Sequence, residues 1–107
     1  MKINSINAIS PIDGRYSNQT SNLQDFFSEK ALIKYRLKIE IEYFIKLTEI
    51  KIDGLKSWRK SNNQLLRKIY TDFDEKNALE IKEIEKTTNH DVKAVEYFLK
   101  NKFKKLR

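Results

Sequence analysis

The side chains best suited to holding an anion fall in two short stretches. Asn89, His90 and Asp91 stand in a row just ahead of a run with helical periodicity, and the free amides and macrodipole at a helix start favour negative charge. His90 is the single histidine of the chain, so a multi-histidine metal site and a two-histidine acid/base pair are both impossible within it. Asp91 could instead satisfy those amides itself and leave His90 merely exposed. Arg15 and Tyr16 follow Gly14 in a segment that also holds the only proline, Pro11. An arginine fixed by such a turn can clamp a phosphate or carboxylate with its planar fork, although a loop arginine is commonly just solvated.

The elements that must position these residues read as helices. Two glycines and one proline in 107 residues leave few breakers, so long uninterrupted elements are expected. Residues 1–20 differ, being polar and rich in turn formers, and read as an extended, looped opening segment. Residues 21–107 read as helices, giving an all-α chain of one domain. From Ser28 to Ile50 one apolar stripe runs through Ile33, Leu37, Ile41 and Phe44 and a second through Leu32, Ile39, Tyr43 and Ile50. A helix apolar on more than one face needs more than one neighbour, which predicts a partner subunit. Gly54 is placed for a left-handed turn, a shorter helix is predicted near 61–70, and Asp72 with Glu75 fits a capping box opening the next. Residues 87–91 are predicted to interrupt that helix. The last helix is predicted to start at Asp91 or Val92, with Asp91 as N-cap and a face of Val92, Val95, Leu99, Phe103 and Leu106.

Composition narrows the function classes. The absence of cysteine excludes a disulfide framework, thiolate zinc sites and a cysteine nucleophile, and fits a reducing cytoplasm. No window approaches the roughly 18 apolar residues of a membrane-spanning helix, and no export signal is visible. The net charge is +7 and is blocky: residues 56–68 carry five basic and no acidic side chains, 72–85 six acidic and two basic, and 92–107 six basic and one acidic. Such blocks could be the footprint of a basic module that binds nucleic acid or a protein partner. They fit solvated helix faces better, because arginine is scarce beside lysine and no base-reading motif is present. Asp72, Asp74 and Glu83 have the spacing of a calcium loop, but Lys76 and Asn77 stand where an oxygen ligand and a sharp-turn glycine are required.

Two longer motifs absorb the candidate residues. SPIDGRYS at 10–17 and EKTTNHDVKAVEYFLK at 85–100 resemble the adenylosuccinate lyase family, in the bacterial branch of the fumarase/aspartase superfamily, and the helices between them match that family's first domain in order and spacing. The resemblance implies an all-α N-terminal domain of a C–N lyase that releases fumarate by β-elimination from adenylosuccinate and from the related succinylated carboxamide ribotide of purine synthesis. It implies a purine nucleotide substrate, no metal or organic cofactor, a cytoplasmic setting and a homotetramer. Arg15 and Tyr16 match the family's N-terminal substrate-binding pair, and Asn89, His90 and Asp91 its second substrate-contacting segment. In the family the base and acid of the elimination are a second histidine and a serine in a Gly/Ser-rich loop containing Met and Pro. With one His, one Met and one Pro, at 90, 1 and 11, neither is in this chain, nor is the central helical bundle. The 107 residues are therefore expected to be an N-terminal domain or truncated product without lyase activity of their own, His90 serving binding and charge stabilisation before proton transfer.

Overall fold

The chain is described by a computed structural model over residues 4–105, and every regular element among these is helical. Two compact units are present, Met1–Leu32 and Ile33–Arg107.

In the first unit, residues 4–16 wind through successive turns instead of running extended. The Asn4 carboxamide oxygen accepts from the Ile6 and Asn7 amides at 2.9 and 3.1 Å, the Asn7 oxygen accepts from the Asn4 amide at 2.8 Å, and the Pro11 carbonyl accepts from the Tyr16 amide at 2.8 Å. Short polar side chains that offer local acceptors pull the backbone into turns, which explains the departure from the predicted extended segment. Gly14 is buried, and a Cβ there would meet the Ala8 Cβ at 3.1 Å and Ser5 backbone at 3.2 Å. Tight space, not a left-handed backbone, favours glycine at this position. Three single-turn pieces follow: α1 (Ser17–Thr20), a 3-10 turn (Ser21–Leu23) and α2 (Gln24–Phe27).

Ser28 starts the long helix α3 (Glu29–Glu49), its hydroxyl oxygen accepting from the Ala31 amide at 3.1 Å, as an N-cap serine does. Of the two predicted stripes, one is core: Ile33, Leu37 and Ile41 are buried and Phe44 is half-buried, while Ile45, not part of the predicted stripe, is buried beside them. The other is open, Ile39 being 68% and Tyr43 62% exposed. Lys51 (φ 55°) and Gly54 (φ 92°) take left-handed conformations after the helix, the second as predicted. A 3-10 turn (Lys60–Asn62) leads into α4 (Asn63–Thr71), within a residue or two of the expected helix.

The next helix, α5 (Glu75–Thr88), does not start where the sequence suggests. Asp72 is the C-cap of α4, its amide donating to the Lys68 carbonyl at 2.9 Å, and the capping box is formed by Asp74 and Asn77. The Asp74 carboxylate accepts from the Asn77 amide at 2.9 Å, and the Asn77 side chain accepts from the Asp74 amide at 3.1 Å. Burial of Phe73 between the two helices selects this later cap over the Asp72–Glu75 pair. The last helix, α6 (Asp91–Lys105), packs on α5 and buries Ala94, Val95, Phe98 and Leu99. Val92, predicted on that face, is exposed on the first turn, and Leu106 lies outside the described residues. The core of the second unit is closed by Leu66 of α4, Phe73, and Ala78 and Ile81 of α5.

One ionic group ties α3 to α4. Arg67 donates through Nε and Nη2 to the two Glu42 oxygens at 3.0 and 3.2 Å, and the Tyr70 hydroxyl donates to Oε2 at 2.9 Å. The Arg67 hydrogen bond holds the Glu42 carboxyl below its usual 4.5, against the opposing effect of partial burial. A carboxyl with a depressed folded pKa stabilises the fold fully above its unfolded value and loses that contribution as pH falls through the folded value. Acid titration followed by circular dichroism is therefore expected to show stability falling below pH 4.5, and Glu42→Gln to flatten that limb. Leu37→Ala, which empties a fully buried position, is expected to destabilise by about 2–5 kcal/mol in denaturant titration, whereas Ile39→Ala stays within about 0.5 kcal/mol.

Candidate functional site

The turn between α5 and α6 is built from Thr88, Asn89 and His90. Residues 87–91 were expected to break the helix, yet α5 runs through Thr88 and only two residues lie between the helices. Asn89 takes the left-handed conformation (φ 53°, ψ 27°) that ends α5, its amide donating to the Glu85 carbonyl at 2.8 Å; asparagine tolerates this region better than most side chains. The Thr88 hydroxyl then brackets the next residue, donating to the His90 carbonyl at 3.0 Å and accepting from its amide at 3.3 Å.

His90, not Asp91, is the N-cap of α6. Its Nδ1 accepts from the Lys93 amide at 3.3 Å, and its carbonyl accepts from the Ala94 amide at 3.1 Å. An Nδ1 that accepts a hydrogen bond carries no proton, so the neutral ring has its proton on Nε2. The 3.9 Å separation of Nδ1 from the Asp91 carboxylate is too long to compete with that bond. The side chain is 61% exposed, and its N–H is free to donate outward.

Asp91 is released from capping to do something else. Its Oδ1 accepts from the Val92 amide at 2.7 Å and its Oδ2 receives Arg36 of α3 at 2.9 Å. The Val92 amide, then Arg36, holds this carboxyl below its usual value, with desolvation opposing. Arg36, absent from the sequence-derived set, is thus placed beside the start of α6. No local spacing reveals a pairing of residues so far apart in the chain.

In the first unit the Arg15 guanidinium lies over the Tyr16 ring, 5.3 Å from its centroid, a cation–π contact. Both side chains are exposed. Their backbone is held by the Pro11 carbonyl and by the close approach of Gly14 to the Ser5–Ala8 turn. Among the described residues no group of three His, Cys, Asp or Glu side chains could hold a metal ion, and no helix is long and apolar enough to cross a membrane.

Curated relatives match almost the whole chain. An adenylosuccinate lyase of Dictyostelium discoideum is 53% identical over 104 residues, 95% of this chain and 22% of its own length. Those of Vibrio cholerae and Escherichia coli are 48% and 44% identical over 103 residues, 95% of this chain and 23% of theirs. Over about 95% of its length the chain is similar to an N-terminal part of these adenylosuccinate lyases. No family model matches it. It spans less than a quarter of the length of the relatives it matches, and with about 95% of the chain aligned, both motif stretches fall inside the matched span. The all-helical architecture agrees with an N-terminal domain of the adenylosuccinate lyase family.

The His90 cap gives a prediction that separates structure from recognition. His90→Ala removes the cap and is expected to destabilise by about 1 kcal/mol, while His90→Asn, a good capping residue, keeps stability near that of the parent. Thermal or denaturant unfolding of the two variants checks this, and equal losses in both would contradict the capping role.

Proposed function

We propose that this chain supplies the N-terminal share of a C–N lyase site that cleaves adenylosuccinate to AMP and fumarate, and succinylated aminoimidazole carboxamide ribotide to the carboxamide ribotide and fumarate. The observation that carries the reading is the 44–53% identity to adenylosuccinate lyases over 95% of the chain, which favours it over a basic nucleic-acid or protein-binding module. The substrate carries a phosphate and a succinyl group, so its recognition is a matter of placing donors and cations around several negative charges.

Each candidate residue then has a role that follows from its geometry. The outward Nε2–H of His90 donates to an anionic oxygen of the substrate, next to the positive end of α6. Asn89 offers a second amide donor on the same turn. A bare carboxylate would repel such a ligand, so Asp91 serves by engaging Arg36 and keeping that guanidinium beside the helix start. Arg15 and Tyr16 form the other binding pair, the ring holding the guanidinium plane while its N–H groups stay available. His90 commits Nδ1 to the Lys93 amide, and this suits binding and charge stabilisation better than proton abstraction. The base and the acid of the elimination come from outside this chain, in a cytoplasmic homotetramer that needs no cofactor, and the 107 residues alone are inactive.

Turnover measured as fumarate release tests the reading. In the complete protein, Arg15→Ala and His90→Asn are each expected to lower kcat/KM about tenfold or more, the size of a lost charge-assisted hydrogen bond, with the thermal midpoint unchanged. The isolated chain is expected to release none. Full turnover in both variants would remove these residues from the site, and a reading frame that does not lead on to a second histidine and a Gly-rich serine loop would remove the lyase reading itself.

A further inference from the structure

The basic blocks at 56–68 and 92–107 are not used by the site at the start of α6. Within the second unit a separate cleft of about 450 Å³ is lined by Phe44, Leu55, Trp58, Arg59, Asn62 and Phe103, with Gly54 and Ser57. Phe103 lies 12 residues beyond Asp91 on the same helix, ~18 Å along its axis, so this is not the His90 turn. Three half-buried rings form its wall: Phe44 meets Trp58 edge-on with centroids 5.1 Å apart, and Phe103 at 5.2 Å. The wall is preformed. Trp58 Nε1 donates to Asn63 Oδ1 at 2.8 Å, and Asn63 is the buried polar residue of the core, so the indole is fixed before anything binds. Arg59 is the only charged lining residue. Its side chain is exposed and has no ion pair among the described residues, while its carbonyl is held by the Asn62 amide at 2.9 Å.

A fixed aromatic wall beside an unpaired guanidinium, with no acidic side chain in the lining, selects for two features in one ligand. We propose that this cleft binds a planar aromatic anion, the ring system lying against Phe44, Trp58 and Phe103 and the oxyanion taking the Arg59 fork. Ring contact supplies burial and stacking, the guanidinium supplies charge-assisted hydrogen bonds, and the volume is in the range of small-molecule sites.

Trp58 is the single tryptophan, so its indole N–H gives one NMR resonance that reports on a ring lining the cleft. Titration of the ¹⁵N-labelled chain with 2-naphthyl phosphate is expected to shift that resonance and the Arg59 amide saturably, with half-saturation below about 1 mM, and to leave the His90 amide unmoved. Arg59→Gln is expected to weaken binding about tenfold, and 2-naphthol and inorganic phosphate to bind at least about tenfold more weakly than the aryl phosphate. Absence of a saturable shift would overturn the proposal. So would equal binding of 2-naphthol or by Arg59→Gln, which would make the cleft a plain apolar groove, and so would a Trp58 resonance that moves with protein concentration alone, which would place a second copy there.

Discussion

The start of α6 depends on a hydrogen bond from the Lys93 amide to the Nδ1 of His90. A helix start leaves amides without partners, and here the imidazole takes one of them, which sets three things at once. It ends the reversal that Asn89 begins in its left-handed conformation, and so directs the apolar face of α6 onto α5 and the core. It leaves the ring proton on Nε2, where it faces solvent as a donor. It also frees the Asp91 carboxylate, whose second oxygen engages Arg36 from α3. One residue therefore serves as both the structural end of a helix and an exposed donor of the candidate site.

The second unit divides its labour between packing and polar ties. Leu37, Ile41, Leu66, Ile81 and Val95 are buried almost completely, and large-to-small changes at such positions are the ones that unfold small domains. The ion pairs are partly exposed, and pairs of that kind contribute little each; the value of the polar ties is in orientation. Glu42, Arg67 and Tyr70 set α4 against α3, Asn63 sets the Trp58 ring, and Arg36 with Asp91 ties the middle of α3 to the start of α6. The open stripe through Ile39 and Tyr43 contributes nothing to this core. Most of the length of the curated relatives lies outside this chain.

Much of this was legible in the amino-acid order. The 3.6-residue spacing of Ile33, Leu37 and Ile41 marks the core face of α3, the Asn89–Asp91 group marks a helix start, and Gly54 marks a left-handed turn. What stayed hidden was every choice between two locally acceptable caps. Asp72 and Asp74 can both cap a helix, and only the burial of Phe73 decides between them. His90 and Asp91 can both cap the next; the ring takes the Lys93 amide while Asp91 pairs with Arg36, a partner from another helix. The opening segment misled for a related reason: its Asn and Ser side chains supply their own backbone with acceptors, and turns replace the extended chain.

Direct observation of the His90 ring tests the account at its root. A long-range ¹H–¹⁵N correlation spectrum of the neutral ring is predicted to show Nδ1 as the unprotonated nitrogen and Nε2 as the protonated one. A spectrum with the proton on Nδ1, or with the two tautomers in rapid exchange, would mean that the ring does not cap α6 and that its outward donor is not held in place.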